Sequence, residues 1–523
     1  MTAGRIAILL HAHLPFVRHP EHEEFLEERW LFEAITETYL PLLDVLAALD
    51  RDRVPARFTL SLSPPLLGML SDALLLQRYR RHMDRLLRLA AAEERRTRPD
   101  PPLHRNARFY LERLGRAREA FLVQWQQDLP GAFRGFQERE VVELITCAGT
   151  HPVLPLLGSP VQVRAHVEVA AAEYRRFFAR RAAGFWLPEC AYRPGLEHEL
   201  RRAGFRWFVV DTHGLVHATP RPLHGVYAPV LTPAGVAAYA RDPESSKQVW
   251  SAAEGYPGDV WYRDFYRDAG FEAPPDALRS IWPDAVGTHT GLKYWRITGK
   301  TDAKAPYERA RALERVEVHA AHFVEARRAQ AEALARSMGR PPLVLCPYDA
   351  ELFGHWWFEG PEWLLAVLRR MAATPGLLAA TPSDDLAAQP VLQRAVPAAS
   401  TWGQRGYHDV WIASQNDWIY PKLHAAAARL EAVVRRHPGA DDVTRRALTQ
   451  ALRSLMIAQA SDWAFMMSRE TTAAYGVRRT EEMLACCHAL CEQVERGAVD
   501  EAGLSAAEAR DNLFPVLDYR ILL

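Results

Sequence analysis

The sequence predicts an α/β fold in which a parallel barrel carries a helical insertion and a C-terminal helical domain. Three observations support this fold class. Short β-type runs recur along the first three-quarters of the 523 residues, helix-like segments separate most of them, and polar residues follow the runs where they end. Strands that alternate with helices are typical of parallel sheets, and about seven such units indicate a barrel. Barrel enzymes build their sites from residues at the strand ends.

The β-type runs are, in chain order, "RIAILLHAH", "ARFTLSL", "VVELITCAG", "AGFWLPE", "RWFVVDTHG", "GVYAPVL" and "PLVLCPYDAE". Residues 65–142 have helical spacing of Leu and Ala, which predicts a helical insertion domain between a first barrel part, 1–64, and a second, 143–400. Long amphipathic stretches predict a helical domain over 401–523. Gly, Pro and small residues from Thr232 to Ser246 predict a mobile loop that exposes Tyr239.

Composition excludes several kinds of partner. Lys plus Arg and Asp plus Glu number 64 each, so no basic face for nucleic acid is expected. The longest early apolar run, "IAILL", is too short for a secretory core or a membrane span. We therefore expect a cytoplasmic protein, a monomer or small homo-oligomer, that binds neither nucleic acid nor membrane. The 15 tryptophans suit either a large core or a sugar-binding groove.

Polar side chains follow five of the predicted strands and could converge at one edge of the barrel. They are His11 and His13, then His151, then Glu189, then Asp211 and His213, and finally Asp349 and Glu351. On an extended chain, His11 and His13 point to the same face. A single buried histidine is usually a satisfied core residue, but several at successive strand ends favour a functional site.

One interpretation of these residues is a metal centre. Several metal-dependent hydrolases begin with HxH on their first strand, and His151, His213 and Asp349 would supply further ligands. No HxxxH or HExxH motif accompanies them, and the aromatic neighbours of Glu189 and Asp349 suit a sugar better than a hydrated cation. We therefore expect neither a metal nor a cofactor.

The other interpretation is a pair of catalytic carboxyl groups. Cleavage of a glycosidic bond needs one carboxyl to protonate the leaving oxygen and another to attack the anomeric carbon or to activate water. Glu189 follows "GFWLP" and Asp349 follows "LVLCPY", so each is approached by apolar residues that would help keep one carboxyl protonated near neutral pH. The alternative is that the two acids lie on unrelated parts of the surface.

Five stretches, "HAHLPF", "CAGTHPVLPLL", "GFWLPECAYRPGLE", "CPYDAELFGHWWFEGPEWL" and "QASDWAFM", closely resemble in order the five short sequence regions of glycoside hydrolase family 57. The resemblance is closest to the 1,4-α-glucan branching enzymes of that family and covers nearly the whole chain. It implies an incomplete (β/α)7 barrel and a retaining mechanism, with Glu189 as nucleophile, Asp349 as general acid/base and Glu351 as a supporting residue.

The activity implied by the resemblance is cleavage of α-1,4-glucan and transfer of the cleaved chain to a 6-OH, which makes α-1,6 branches in glycogen-type metabolism. Donor and acceptor would both be α-1,4-glucan polymers. An α-amylase or a 4-α-glucanotransferase is the alternative within the family. A metal-dependent deacetylase or amidohydrolase, and a non-catalytic glucan-binding protein, are alternatives from other classes.

The resemblance also implies a set of substrate-binding residues. The expected contacts to sugar are the inner histidines His11, His13 and His151, the tryptophans Trp30, Trp186, Trp402 and Trp411, and Asp462 and Trp463 from a C-terminal helix. Tyr239 resembles the tyrosine at the tip of a flap that covers the site. Arg263 is expected to pair with one catalytic carboxyl. The competing interpretations are packing between domains for the tryptophans and a structural salt bridge for Arg263.

Overall fold

The computed structural model describes residues 4–251, 254–389, 391–469 and 472–523. Its strands are β1 (Gly4–Ala12), β2 (Phe58–Leu62), β3 (Val142–Cys147), β4 (Gly184–Trp186), β5 (Trp207–Val210), β6 (Val230–Leu231), β7 (Ala237–Ala240), β8 (Leu343–Asp349), β9 (Leu377–Ala379) and β10 (Gln393–Arg394). They form one sheet in the order β10-β6-β7-β5-β4-β3-β2-β1-β8, and β9 pairs with β1. Neighbours from β8 through β1 to β7 are all parallel.

The helices surround this sheet and continue beyond it. They are α1 (Glu28–Ala34), α2 (Leu40–Arg51), α3 (Pro64–Met69), α4 (Ala73–Arg96), α5 (Pro101–Glu119), α6 (Leu129–Glu138), α7 (Pro160–Phe178), α8 (Leu196–Ala203), α9 (Thr212–Val216), α10 (Pro243–Trp250), α11 (Ala269–Glu272), α12 (Pro275–Arg279), α13 (Arg309–Met338), α14 (Gly360–Ala373), α15 (Pro382–Ala388), α16 (Ile419–Arg436), α17 (Asp442–Ala458), α18 (Ser461–Met467), α19 (Ala473–Arg496) and α20 (Glu501–Arg510). Helices α3 to α6 lie between β2 and β3, and α16 to α20 follow the last strand.

The central strands are apolar along their length because helices or other strands cover both of their faces. Strand β1, "GRIAILLHA", is buried at every position except Arg5, which is half-buried. Continuous apolar runs of this kind are typical of parallel sheets. The parallel part of the sheet runs from β8 to β7. Just after β7, the Asp242 N–H donates to the Leu345 carbonyl of β8 (2.9 Å), which brings the two ends of the parallel part together. The predicted α/β class, with a partly closed barrel and a C-terminal helical domain, is confirmed.

One predicted strand and one predicted loop are wrong. The run "GVYAPVL" contributes only the two-residue β6, which pairs antiparallel with β7. The parallel strand next to β5 is β7, "AAYA", inside the stretch predicted to be a mobile loop. Alanine has a low strand propensity, so the sequence pattern did not mark it. All four of its residues are buried.

The helical domain is attached to the barrel loops by two backbone hydrogen bonds. The Trp402 N–H donates to the Glu189 carbonyl (3.0 Å), and the Ser461 N–H donates to the His151 carbonyl (3.0 Å). Both bonds lie at the carboxyl ends of the strands, so the domain faces the predicted site. Within the described ranges, no helix combines the length and the apolar character that crossing a membrane would require.

Candidate active site

The candidate site lies where β1, β3, β4 and β8 end. Strand register places His11 of β1 opposite Ser61 of β2 on one side and opposite Asp349 of β8 on the other. Glu189 lies in a 3-10 turn, Pro188–Cys190, that follows β4. Glu189 (φ 61°) and His151 (φ 64°) both adopt the left-handed conformation. Non-glycine residues adopt it at a cost, and such residues cluster at functional sites where their surroundings hold them.

Both oxygens of the Glu189 carboxyl group accept hydrogen bonds from the C-terminal part of the chain. The Ser461 hydroxyl donates to Oε1 (2.9 Å) and the Trp402 indole N–H donates to Oε2 (2.8 Å). Burial raises the pKa of Glu189 to about 6, while the bond from Trp402 lowers it and the charge of Asp462 raises it. The carboxyl group is therefore ionised at neutral pH.

Asp349 has a different electrostatic environment. Burial raises its pKa well above the usual value, the negative charges of Glu351 and Glu189 raise it further, and the charge of Arg241 opposes them. These effects favour the protonated form of Asp349, whereas the hydrogen bonds from Ser461 and Trp402 favour the ionised form of Glu189. The effect of Glu189 on Asp349 also means that the two carboxyl groups are close enough to interact.

Glu351 supports this arrangement. Its Oε1 accepts hydrogen bonds from the Tyr39 hydroxyl (2.6 Å) and from the backbone N–H of His13 (3.2 Å). Burial raises the pKa of Glu351 as well. These bonds fix the Glu351 carboxyl group, whose charge acts on Asp349.

The structure brings the three predicted histidines together. His11 bonds through Nδ1 to the Ser61 hydroxyl (3.0 Å) and through Nε2 to Nε2 of His151 (2.9 Å). The His13 ring stacks on the His151 ring, with centroids 3.8 Å apart. Burial lowers the pKa of His11 and of His151 well below the usual value, so both rings are neutral.

Asp462 reaches the same cluster from α18. Nε2 of His13 lies 3.0 Å from Oδ2 of Asp462, and Nδ1 of His13 lies 2.9 Å from the Ser63 hydroxyl. Asp462 of the helical domain thus contacts the histidine cluster, and its role in binding sugar stays a prediction.

Two groups of potential ligand atoms within 4.8 Å of one another occur among the described residues: His13, His151 and Asp462, and His11, Cys147 and His151. Neither contains His213 or Asp349, the further ligands that the metal interpretation needed. Nε2 of His213 instead lies 2.7 Å from the Gly406 carbonyl oxygen. The histidine nitrogens are already paired with hydroxyl, imidazole and carboxylate groups, which favours a hydrogen-bonding role.

Aromatic side chains form one wall of the site. Trp186 is fully buried and stacks on His11, with ring centroids 4.9 Å apart, so its ring supports His11 and has no face free for the predicted contact to sugar. Trp402 is half-buried and lies edge-on to Trp186 at 5.0 Å, and Trp250 lies edge-on to Trp402 at 6.2 Å. Trp250 is 37% exposed. No motif marked Trp250 in the sequence, and only its place at the end of α10 brings it to Trp402.

Several predicted sugar contacts lie elsewhere. Trp411 and Trp463 are buried, and the Trp463 indole donates to the Ile457 carbonyl (2.6 Å), so neither ring has a face free for glucan. Trp30 is half-buried and packs edge-on against Tyr475 of α19, with centroids 5.8 Å apart. For Trp411 and Trp463 the structure supports packing, because protein neighbours enclose both rings. The sugar contact of the half-buried Trp30 stays a prediction.

The flap prediction for Tyr239 is wrong. The side chain is 2% exposed, and its hydroxyl donates to the Pro382 carbonyl (2.9 Å) and to the Asp385 carboxylate (3.1 Å). A tyrosine held in a strand by two buried hydrogen bonds cannot act as the tip of a flap. The cause is the missed strand β7.

Arg263 does not pair with a catalytic carboxyl. It is buried, donates to the His355 carbonyl (3.1 Å), lies 4.0 Å from the Glu37 carboxylate and stacks over Phe358. The cation that acts on Asp349 is Arg241, whose Nε also donates to Asp211 (2.8 Å). Arg241 directly follows β7, so missing that strand also concealed this residue.

Comparisons with known proteins agree with this geometry. Residues 7–334 match the family model described as glycosyl hydrolase family 57, and residues 422–522 match the model described as 1,4-alpha-glucan branching enzyme, C-terminal. A 1,4-alpha-glucan branching enzyme of Thermococcus kodakarensis is 32% identical over 98% of this chain and 77% of its own length.

Two solved structures are similar over their whole length. The α-amylase AmyC from Thermotoga maritima has a TM-score of 0.93 and 41% identity, with 100% of this chain and 99% of that chain covered. A GH57-type branching enzyme from Pyrococcus horikoshii has a TM-score of 0.90 and 32% identity, with 100% and 97% covered. The similar proteins thus include one described as an α-amylase and others described as branching enzymes.

Proposed function

Because the chain belongs to glycosyl hydrolase family 57, we propose that it is a 1,4-α-glucan branching enzyme that works by a retaining double displacement. One observation carries the proposal: two interacting carboxyl groups meet at the strand ends in different environments. Glu189 accepts hydrogen bonds from Ser461 and Trp402 that favour its ionised form, whereas burial and the charges of Glu351 and Glu189 raise the pKa of Asp349. A pair of acids whose environments separate their pKa values is suited to the roles of nucleophile and general acid. Glu189 takes the first role and Asp349 the second.

The reaction has two steps. In the first, the ionised Glu189 attacks the anomeric carbon while Asp349 protonates the glycosidic oxygen, which leaves a covalent glucosyl-enzyme and a free chain end. In the second, Asp349 takes the proton from the 6-OH of another glucan chain, and that oxygen displaces Glu189. An α-1,6 branch forms, and both carboxyl groups return to their starting protonation states.

The surrounding groups favour this chemistry. Ser461 and Trp402 donate to the two oxygens of Glu189, which orients the carboxylate and keeps it ionised. The ring nitrogens of His11 and His151 bond to each other and to Ser61 and Ser461, and the neutral rings add no positive charge to a site in which a cationic sugar develops. The fixed donors act on the carboxylate of Glu189, which they hold in place for attack on the anomeric carbon.

An α-amylase is the alternative that a specific observation favours, since the AmyC structure is 41% identical to this chain. Water in place of the 6-OH in the second step gives hydrolysis. The decisive experiment incubates the protein with amylose, measures reducing ends, then adds an α-1,6-specific debranching enzyme and measures them again. Branching predicts a large increase only after debranching. Hydrolysis predicts reducing ends that rise above those of untreated amylose before debranching and do not rise further after it.

Two substitutions test the roles of the acids. Glu189→Gln and Asp349→Asn should each abolish both branching and hydrolysis while amylose binding is retained. Asp284→Asn is the matched control. It changes an exposed carboxylate that pairs with Arg29 rather than with a residue of the candidate site, and it should keep full activity. Full activity in either active-site variant would refute the proposed mechanism. Activity that EDTA abolishes and zinc restores would support the deacetylase class instead.

The proposal includes the setting of the reaction. A branching enzyme of this kind would act on a glycogen-type polymer in the cytoplasm, where such polymers are stored. Fractionation of cells that produce the protein, followed by assay of branching activity in the cytoplasmic and membrane fractions, tests the location.

A further inference from the structure

We propose that Ser461 is a positioning residue for the candidate nucleophile and the last member of a directed hydrogen-bond chain that begins in the sheet. The chain runs from the Ser61 hydroxyl to His11 (3.0 Å), from His11 to His151 (2.9 Å), from His151 to Ser461 (2.9 Å) and from Ser461 to Glu189 (2.9 Å). The two serines and the two histidines are all at most 4% exposed. The inference rests on the proposed function, in which Glu189 is the nucleophile.

The carboxylate fixes the direction of every bond in this chain. An ionised carboxyl group only accepts, so the Ser461 hydroxyl donates its single proton to Glu189 and must accept from Nδ1–H of His151. A neutral imidazole carries one N–H, and Nε2 of His151 therefore accepts from Nε2–H of His11. Nδ1 of His11 then accepts from the Ser61 hydroxyl. With Glu189 ionised and both imidazoles neutral, this arrangement of protons satisfies Ser61, His11, His151, Ser461 and Glu189.

Backbone geometry shows why such a chain is needed. Glu189 and His151 both have left-handed backbone conformations, which a non-glycine residue keeps only when its neighbours hold it. Ser461 holds both residues, because its N–H donates to the His151 carbonyl (3.0 Å) and its hydroxyl donates to the Glu189 carboxylate. The first residue of α18 in the helical domain thus connects two strained loops of the barrel. The catalytic arrangement is incomplete without this domain.

The kinetic test replaces the hydroxyl. Ser461→Ala should lower kcat about 10-fold, equivalent to ~1.4 kcal/mol, with KM changed less than about twofold. It should also move the acidic limb of kcat/KM to higher pH, since the ionised form of Glu189 loses a donor. Ser461→Thr keeps the hydroxyl and should restore both quantities. Ser400→Ala is the matched control, because Ser400 is buried and its hydroxyl has no partner within the described ranges.

A general packing defect would lower kcat without moving the acidic limb, and that result would overturn the proposal. So would wild-type kinetics in Ser461→Ala. Failure of the proposed function and failure of the hydrogen-bond chain give different results. If Glu189→Gln is active, the proposed function is wrong. If Glu189→Gln is inactive and Ser461→Ala has wild-type kinetics, only the hydrogen-bond chain is wrong.

The proton positions provide a test that does not depend on folding of a variant. Neutron diffraction from crystals of the full chain in D₂O near neutral pD should show deuterium on Nδ1 of His151 and on Nε2 of His11. Deuterium on Nε2 of His151, or on both nitrogens of either ring, would contradict the proposed direction of the chain.

Discussion

The hydrogen bond from Trp402 to Glu189 should control the acidic limb of the pH-activity profile. Trp402→Phe removes the indole N–H that lies 2.8 Å from Oε2 but keeps an aromatic ring at the position. A hydrogen bond to a charged group contributes about 1.5–3 kcal/mol. At about 1.36 kcal/mol for each tenfold change in proton affinity, its loss raises the pKa of Glu189 by roughly 1–2.

The starting value makes the effect measurable near neutral pH. With a pKa of about 6, Glu189 is mostly ionised at pH 7. A rise to roughly 7–8 leaves between about one-half and one-eleventh of the enzyme ionised at pH 7, so kcat/KM falls about 2- to 10-fold there and recovers at higher pH. Because the nucleophile must be ionised, the acidic limb of the pH-activity profile moves to higher pH.

The assay is initial-rate branching or hydrolysis of amylose from about pH 5 to pH 9, from which kcat/KM gives the pKa values of the free enzyme. Trp411→Phe is the control, because Trp411 is buried and its indole N–H has no partner in the part of the chain that the structure describes. Trp411→Phe should lower thermal stability without moving the limb. An unmoved acidic limb in Trp402→Phe would refute the role assigned to this hydrogen bond.

Three further outcomes follow from the same contacts. Arg241→Gln should raise the pKa of Asp349 and move the alkaline limb of kcat/KM upward, since Asp349 must be protonated in the first step; an unmoved limb would contradict this. Tyr239→Phe should lower the free energy of unfolding by about 1–3 kcal/mol with the branching-to-hydrolysis ratio unchanged, and a changed ratio would restore the flap prediction. Glu189→Gln should raise the free energy of unfolding by up to about 2 kcal/mol above pH 6, because the native pKa lies near 6 rather than 4.5, and should leave it unchanged below pH 4.5; denaturant titrations at both pH extremes check this.

The sequence predicted those parts of the fold that have a strong local pattern. The first and eighth strands are continuous apolar runs buried on both faces, and the helical segments have clear spacing. The seventh strand was missed because its buried positions are mostly alanine, which is a poor strand former. That single omission produced both the wrong assignment of Tyr239 and the failure to identify Arg241.

The candidate site was predictable as a set of residues, but its internal contacts were not. The motifs identified the histidines, the two acids and Asp462. The partners of Glu189 are separated from it by 213 residues, for Trp402, and by 272 residues, for Ser461. No local pattern predicts which side chains meet across such distances. The tryptophans were indistinguishable by sequence for the same reason, since burial in a core and stacking on a sugar require the same residue type.

Three buried carboxyl groups with raised pKa values explain why this site needs support from a second domain. Glu189, Asp349 and Glu351 are all harder to ionise in the folded chain than in the unfolded chain, so each disfavours folding as the pH rises toward neutrality. Sites that need such groups are maintained at a cost in stability. Asp462, Ser461 and Trp402 all come from beyond the barrel, and two of them donate directly to Glu189. The helical domain therefore offsets part of the cost of the carboxylate cluster at the place where that cost arises.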